Sequence, residues 1–235
     1  STPLWQHGPS MFLLTVALCL LLYAENRPAL SQFAAIPIAL SYIIRPTNSV
    51  AIAIFTAYII LRHRRWAFRY VLWSIPFAVA FLTYNLLIYG ALLPPYYLPQ
   101  QLEAHSALWV AMAGNLVSPA RGLFVYSPVF LFAFAGVAMK CKHRTISWLD
   151  GCLVACVILH WIVISMFAIW WGGASYGPRL FSDMVPFLIY LMLPFLAVIM
   201  DYRHANSPGW RAARAAFAAA VAVCLFMQYR GASSM

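Results

Sequence analysis

Charge is what this 235-residue chain has least of: 9% of its residues are Asp, Glu, Lys or Arg, and only five are acidic. A soluble domain carries about 25% charged residues, so this chain lacks the polar surface of a soluble globular enzyme. Its apolar content also excludes a disordered chain. The five cysteines, Cys19, Cys141, Cys152, Cys156 and Cys224, are odd in number, and four lie in apolar runs. They read as small buried hydrophobes rather than a disulfide framework or metal ligands. Cys152 and Cys156 share a helical face, but the run around them offers no further ligand. Also missing are a Gly-rich nucleotide loop, a His-Glu-x-x-His, a Ser nucleophile elbow and a CxxC pair, so no nucleotide-driven chemistry is visible and no metal site is expected.

Apolar sequence is what remains. Hydrophobic residues make up 64%, aromatics 16%, and the mean hydropathy is +0.81. Long apolar runs without period-2 alternation predict helices rather than a barrel. A spanning helix needs about 20 apolar residues. Tyr70–Tyr89, Gly122–Met139, Trp148–Trp171 and Leu180–Met200 meet that length, and Met11–Tyr23 and Ala215–Met227 are shorter candidates. Ala29–Leu61 is too long for one span and is broken by Arg45-Pro46-Thr47-Asn48, where proline marks a helix boundary. The expectation is an all-α, polytopic integral membrane protein in one transmembrane domain, 1–235. The opening Ser1-Thr2-Pro3-Leu4-Trp5, with no basic stretch before an apolar one, reads as the start of a fragment of a longer chain.

The formal charge of +10 is organised by position. Eleven bases, from Arg27, Arg62, Arg64, Arg65, Arg69, Lys140, Lys142, Arg144, Arg203, Arg211 and Arg214, fall in clusters between apolar segments. That is the positive-inside pattern and needs no nucleic acid to explain it. It requires Ala29–Leu61 to cross twice or fold as a re-entrant pair, giving about eight membrane segments with both chain ends outside. The outer side then holds a loop at 90–121 whose stretch Gln101–Val110 predicts a helix lying in the interface.

Four arginines oppose the topological bias, and three of them sit in Pro- or Gly-containing breaks: Arg45, Arg121 and Arg179. Ser118-Pro119 reads as a helix start, with Asn115 just before it and Arg121 just after, a combination suited to phosphate. A capped helix whose arginine snorkels to headgroups fits the same residues. In Trp170-Trp171-Gly172-Gly173-Ala174-Ser175-Tyr176-Gly177-Pro178-Arg179, the spacing puts Asp183 four residues beyond Arg179, where it is expected to hold that guanidinium. Neutralisation of two charges inside the bundle is the bland alternative. His160 reads as an inter-helix hydrogen-bonder, and His7, His105 and Glu103 as outer-side residues within reach of a substrate. Three arginines among aromatics suit a lipid-linked phosphate better than a soluble anion.

Leu4-Trp5-Gln6-His7-Gly8, Ile44-Arg45-Pro46-Thr47, Ser118-Pro119-Ala120-Arg121-Gly122-Leu123-Phe124 with Tyr126-Ser127-Pro128, and Trp171-Gly172-Gly173 with Tyr176-Gly177-Pro178-Arg179 occur in that order. In this the chain resembles the GT-C superfamily of membrane glycosyltransferases, which includes protein O-mannosyltransferases and the aminoarabinose lipid A transferase. The resemblance implies a bacterial inner-membrane enzyme. It would move a sugar from a polyprenyl-phosphate donor to a lipid, glycan or protein acceptor on the extracytoplasmic face. Arg121 and Arg179, with Arg45, would hold the donor phosphate, Trp171 and Tyr176 would border lipid or sugar, and Asp183 would orient Arg179. The family's general base is a carboxylate in the first external loop, upstream of Ser1; within this chain the outer acids are Asp183 and Glu103. No cofactor is implied beyond the donor, and a divalent metal is left open. A transporter or flippase for a lipid-linked or anionic substrate, or a non-catalytic subunit, are the rival readings.

Overall fold

A computed structural model describes residues 4–94, 97, 107–173, 176–201 and 208–233. Every regular element among them is helical. In chain order they are α1 (Leu4–Ala24), α2 (Ala35–Ile44), α3 (Ser49–Arg62), α4 (Arg64–Tyr89), α5 (Leu108–Val117), α6 (Leu123–Tyr126), α7 (Leu131–Lys142), α8 (Trp148–Ser165), α9 (Val185–Met200) and α10 (Pro208–Ser233). Short 3-10 helices precede α2, α3, α7 and α9, at Pro28–Ala34, Pro46–Asn48, Pro128–Phe130 and Arg179–Met184.

Five helical stretches are long and apolar enough to cross a membrane: Gln6–Ala24, Arg64–Tyr89, Trp148–Ser165, Arg179–Met200 and Pro208–Ser233. The other apolar segments are shorter, and proline is the reason. Pro46 stops α2 and lets Pro46–Asn48 restart the chain into α3. The run expected as one helix over Gly122–Met139 is cut at Ser127-Pro128 into α6 and α7. Proline has no amide proton to donate and disfavours helix at the residue before it.

The helices α1, α2, α3, α8 and α9 surround the core, in which Leu14, Leu21, Phe55, Ile59, Leu153, Phe181 and Phe187 are fully or almost fully buried. Phe55 and Phe187 meet edge to face with centroids 5.5 Å apart, joining α3 to α9. α7 and α9 approach closely. A Cβ on Gly136 would fall 2.1 Å from the Leu191 carbonyl oxygen, so only glycine permits that spacing. Small residues at helix crossings are how membrane helices bring their backbones together.

The chain has a basic end and an opposite end. Tyr58, near the end of α3, donates a hydrogen bond to Glu25, just past α1, so Arg27 and Arg62 lie at the same end. At the other end of these helices the Asn48 amide donates to Ser10 Oγ at 2.8 Å. The segment 28–62 therefore runs out and back, as the charge pattern requires. At the basic end Lys140 Nζ meets Asp150 Oδ1 at 2.6 Å and the Tyr190 hydroxyl at 3.2 Å, clamping α7, α8 and α9. Burial lowers the Lys140 pKa, but the bonds to Asp150 and Tyr190 outweigh it and the net shift is upward. Asp150 also closes a capping box with Ser147 at the start of α8, satisfying amides that the first turn leaves unpaired.

Candidate anion site at the end opposite the basic cluster

The proline breaks bring the polar residues of several helices to one place. Arg45 is the C-cap of α2, with extended backbone, so its side chain leaves the helix where Pro46 turns the chain. It is 5% exposed and its Nη1 lies 2.5 Å from Asp183 Oδ2 in a buried ion pair; Asp183 is 0% exposed. Ser10 donates to the other carboxylate oxygen at 2.7 Å, and Asn48 in turn donates to Ser10 and to the Ser41 carbonyl. The same Arg45 Nη1 donates to His7 Nδ1 at 2.6 Å. An ion pair taken out of water holds only when the remaining lone pairs and protons find partners. Here α1, the α2–α3 turn and the 3-10 helix before α9 supply them.

This arrangement corrects the expected partner of Asp183. In an α-helix Asp183 would stand one turn above Arg179, but the chain here is 3-10, where residues i and i+3 eclipse instead. Asp183 turns inward to Arg45, and among the described residues no carboxylate pairs with Arg179.

Arg179 and Arg121 line one narrow cleft together with Asn115, Trp170, Trp171, Gly172 and Gly177; its free volume is about 10 Å³, enough for one water. Arg179 Nε is buried there with no hydrogen-bond partner. Arg121 Nη2 donates to the Gly173 carbonyl at 2.6 Å. Gly177 adopts φ +68°, and a Cβ there would stand 3.2 Å from the Tyr126 ring, so glycine sets the turn that delivers Pro178 and Arg179 to the cleft.

The remaining candidates divide. Trp171 is 44% exposed and lines the cleft. Asn115 lines it too, but its amide donates to Ser165 Oγ at 3.0 Å and joins α5 to α8. Ser118 is a correction: it caps the C-terminal end of α5 and its hydroxyl accepts from the Ala120 amide, so Ser118-Pro119 ends a helix rather than opening one. Proline cannot continue α5, and the next helix waits until Leu123. Tyr176 does not line the cleft; its hydroxyl donates to the Met227 carbonyl of α10, and its ring packs edge-on against Tyr126 at 5.1 Å. His160 behaves as expected, with Nε2 bonding the Leu180 carbonyl at 2.8 Å. Glu103, His105 and most of the expected interfacial helix lie outside the described residues. No group of three or more His, Cys, Asp or Glu able to hold a metal occurs among the described residues.

A second cavity, about 330 Å³, lies between α2, α3 and α4. Its lining runs along α4 from Tyr70 to Leu82, about 18 Å at 1.5 Å per residue. The lining is mostly apolar, and three of its hydroxyls bond within the chain: Thr56 bonds Tyr70 at 3.0 Å and Ser74 bonds the Val71 carbonyl. Tyr42 and Ile43 bring its far end to the Arg45 turn, where Tyr97 packs on Tyr42 and Phe81.

Ser10 and Ser182 are the members of this site that sequence reasoning did not single out; His7 and Asn48 stood in motifs it quoted, without a partner assigned. Their only signal is polarity near a helix end or break in an otherwise apolar chain. Comparison with protein-family models, with curated proteins and with solved structures finds no match to this chain.

Proposed function

We propose that the chain is the membrane part of a GT-C-like glycosyltransferase. In this reading the Arg121–Arg179 cleft, closed to about the volume of one water, opens to hold the phosphate of a polyprenyl-linked sugar on the extracytoplasmic face of a bacterial inner membrane. About eight membrane segments would place the cleft at that surface. The observation that carries the reading is Arg179: its Nε is buried with no hydrogen-bond partner among the described residues, it lines one cleft with a second arginine, and Asp183, four residues on, is committed to Arg45. A charged group so placed is stabilised by an anion that supplies the missing acceptors. Phosphate matches the guanidinium fork, and the bordering tryptophans suit a lipid-linked ligand at the interface. The apolar cavity rising to the Arg45 turn supports a ligand with a hydrocarbon chain.

In a transfer reaction these arginines would stabilise the negative charge that develops as phosphate departs. Asp183, held by Arg45 and Ser10, is not free to serve as general base, so the reading leaves that role to the external-loop carboxylate that the resemblance implies. The test is binding of polyprenyl phosphate to the full chain in nanodiscs, with uncharged polyprenol as control. A lost charge-assisted hydrogen bond is worth about 1.5–3 kcal/mol, so Arg179→Ala and Arg121→Ala are each expected to weaken phosphate binding roughly tenfold to a hundredfold. Polyprenol binding should not change. An Arg179→Ala protein that binds polyprenyl phosphate as tightly as the parent would refute the assignment.

A further inference from the structure

Four arginines stand where α3 passes into α4: Arg62, Arg64, Arg65 and Arg69. All four are exposed, and among the described residues none forms an ion pair. His63 is the whole of the connection between the two helices, so the charges crowd one corner of the basic end. Arg69 is turned back toward that corner: its Cζ lies 5.0 Å from the centroid of the Trp66 ring, three residues nearer the start of α4. Two acids of this end are engaged elsewhere, Glu25 with Tyr58 and Asp150 with Lys140.

The positive-inside bias does not account for where Arg64 and Arg65 sit. That bias is met equally well at a helix C-terminus, where the macrodipole favours cations. There the chain puts Lys140 and Lys142, in the last turn of α7. Arg64 and Arg65 instead open α4, at the positive end of a 26-residue helix with no acid in its first turn and no side chain capping it. Charge of one sign is gathered against the dipole, and no described residue pairs with it. Beyond the corner α4 presents Phe68, Leu72, Ile75 and Val79, each 46% or more exposed. Their spacing of four, three and four puts them on one face, and Arg64 and Arg65, four and three residues before Phe68, head it. None of the four lines the apolar cavity, which meets another side of α4.

We propose that this corner is a binding site for an anionic phospholipid of the leaflet at the basic end. Arg64, Arg65 and Arg69 hold the phosphodiester, and one acyl chain lies along Phe68, Leu72, Ile75 and Val79. The phosphodiester brings the acceptors and the negative charge that the corner lacks among its described neighbours, and guanidinium meets it with paired N–H groups. A soluble phosphate would leave the apolar stripe unused. An acidic protein segment would have to enter the hydrocarbon region to cover it. Basic clusters at the membrane end of a spanning helix recognise anionic headgroups in this way. The site is separate from the Arg121–Arg179 cleft and does not rest on the reading of that cleft.

The probes are phosphatidylglycerol and phosphatidylcholine, offered to the full chain in detergent and counted by native mass spectrometry. At about fivefold per arginine, the parent should prefer phosphatidylglycerol by on the order of a hundredfold. The triple substitution Arg64→Gln/Arg65→Gln/Arg69→Gln should bring the two lipids within about tenfold of each other. The control Lys142→Gln/Arg144→Gln/Arg211→Gln removes the same charge from exposed positions elsewhere and should stay within about threefold of the parent. In phosphatidylcholine nanodiscs all three proteins should melt together. Phosphatidylglycerol nanodiscs should raise the melting temperature of the parent and the control only, since a ligand stabilises the state it binds. A parent-like preference or a parent-like rise in the Arg64/Arg65/Arg69 variant overturns the proposal. Equal loss in the control overturns it too, because net charge rather than this corner would then select the lipid.

Discussion

Replacing Asp183 with asparagine removes one charge while conserving shape. Asp183 is 0% exposed and Arg45 is 5% exposed, so the substitution leaves Arg45 buried without its counter-ion. The hydrogen bond from Ser10 also loses its charged acceptor. Breaking a buried pair from one side costs about 3–5 kcal/mol, because the remaining charge keeps its desolvation penalty. For a chain of this length each kcal/mol moves the melting temperature by about 2–4 °C, so Asp183→Asn should lower it by on the order of 10 °C. The companion measurement is a double-mutant cycle with Arg45→Met. Removing both charges should recover a large part of the loss, since an apolar replacement of a buried pair is often close to neutral. Thermal unfolding of detergent-solubilised or nanodisc protein, followed by intrinsic tryptophan fluorescence, reads all four corners of the cycle. A shift under about 2 °C for Asp183→Asn, or strictly additive single substitutions, would refute the argument that Asp183 belongs to Arg45.

Gly136→Ala places a methyl 2.1 Å from the Leu191 carbonyl, so α7 and α9 must separate. The expected cost is about 1–3 kcal/mol, read as a lower melting temperature. Asp150→Asn cuts the Lys140 link and one half of the α8 capping box. It should cost about 1–3 kcal/mol, with amide exchange rising first at residues 148–151. Because the Lys140 pKa is raised in the folded chain, its contribution to stability is complete below the ordinary lysine value of about 10.4 and is lost only as pH rises through the raised folded value. The melting temperature should therefore owe nothing to Lys140 titration between pH 7 and 9, and Lys140→Met should abolish a decline at pH above about 10.5.

Some of this was legible from residue type alone. Nine per cent charge and runs of apolar residues require an all-helical chain, because backbone polar groups in lipid must be satisfied within each segment. Pro46 marks the break in segment 28–62, and the distribution of bases requires that segment to return to the end it left. The outlying arginines flagged themselves by opposing the charge bias, and two of them, Arg121 and Arg179, share a cleft.

What the linear chain could not decide was which charge meets which. Four residues separate Arg179 from Asp183, and helical spacing favours that pair. The pairing turned on whether residues 179–184 would be α or 3-10, and on Arg45 arriving from 138 residues away in sequence. Ser118-Pro119 is an equally good start or stop by composition, and its role as the end of α5 follows from where Leu108–Val117 packs against α8. Residue type sets which groups must be paired in an apolar chain. Only the packing of helices distant in sequence sets the distances, and in a low-dielectric interior a few ångströms separate a buried ion pair from an open cation.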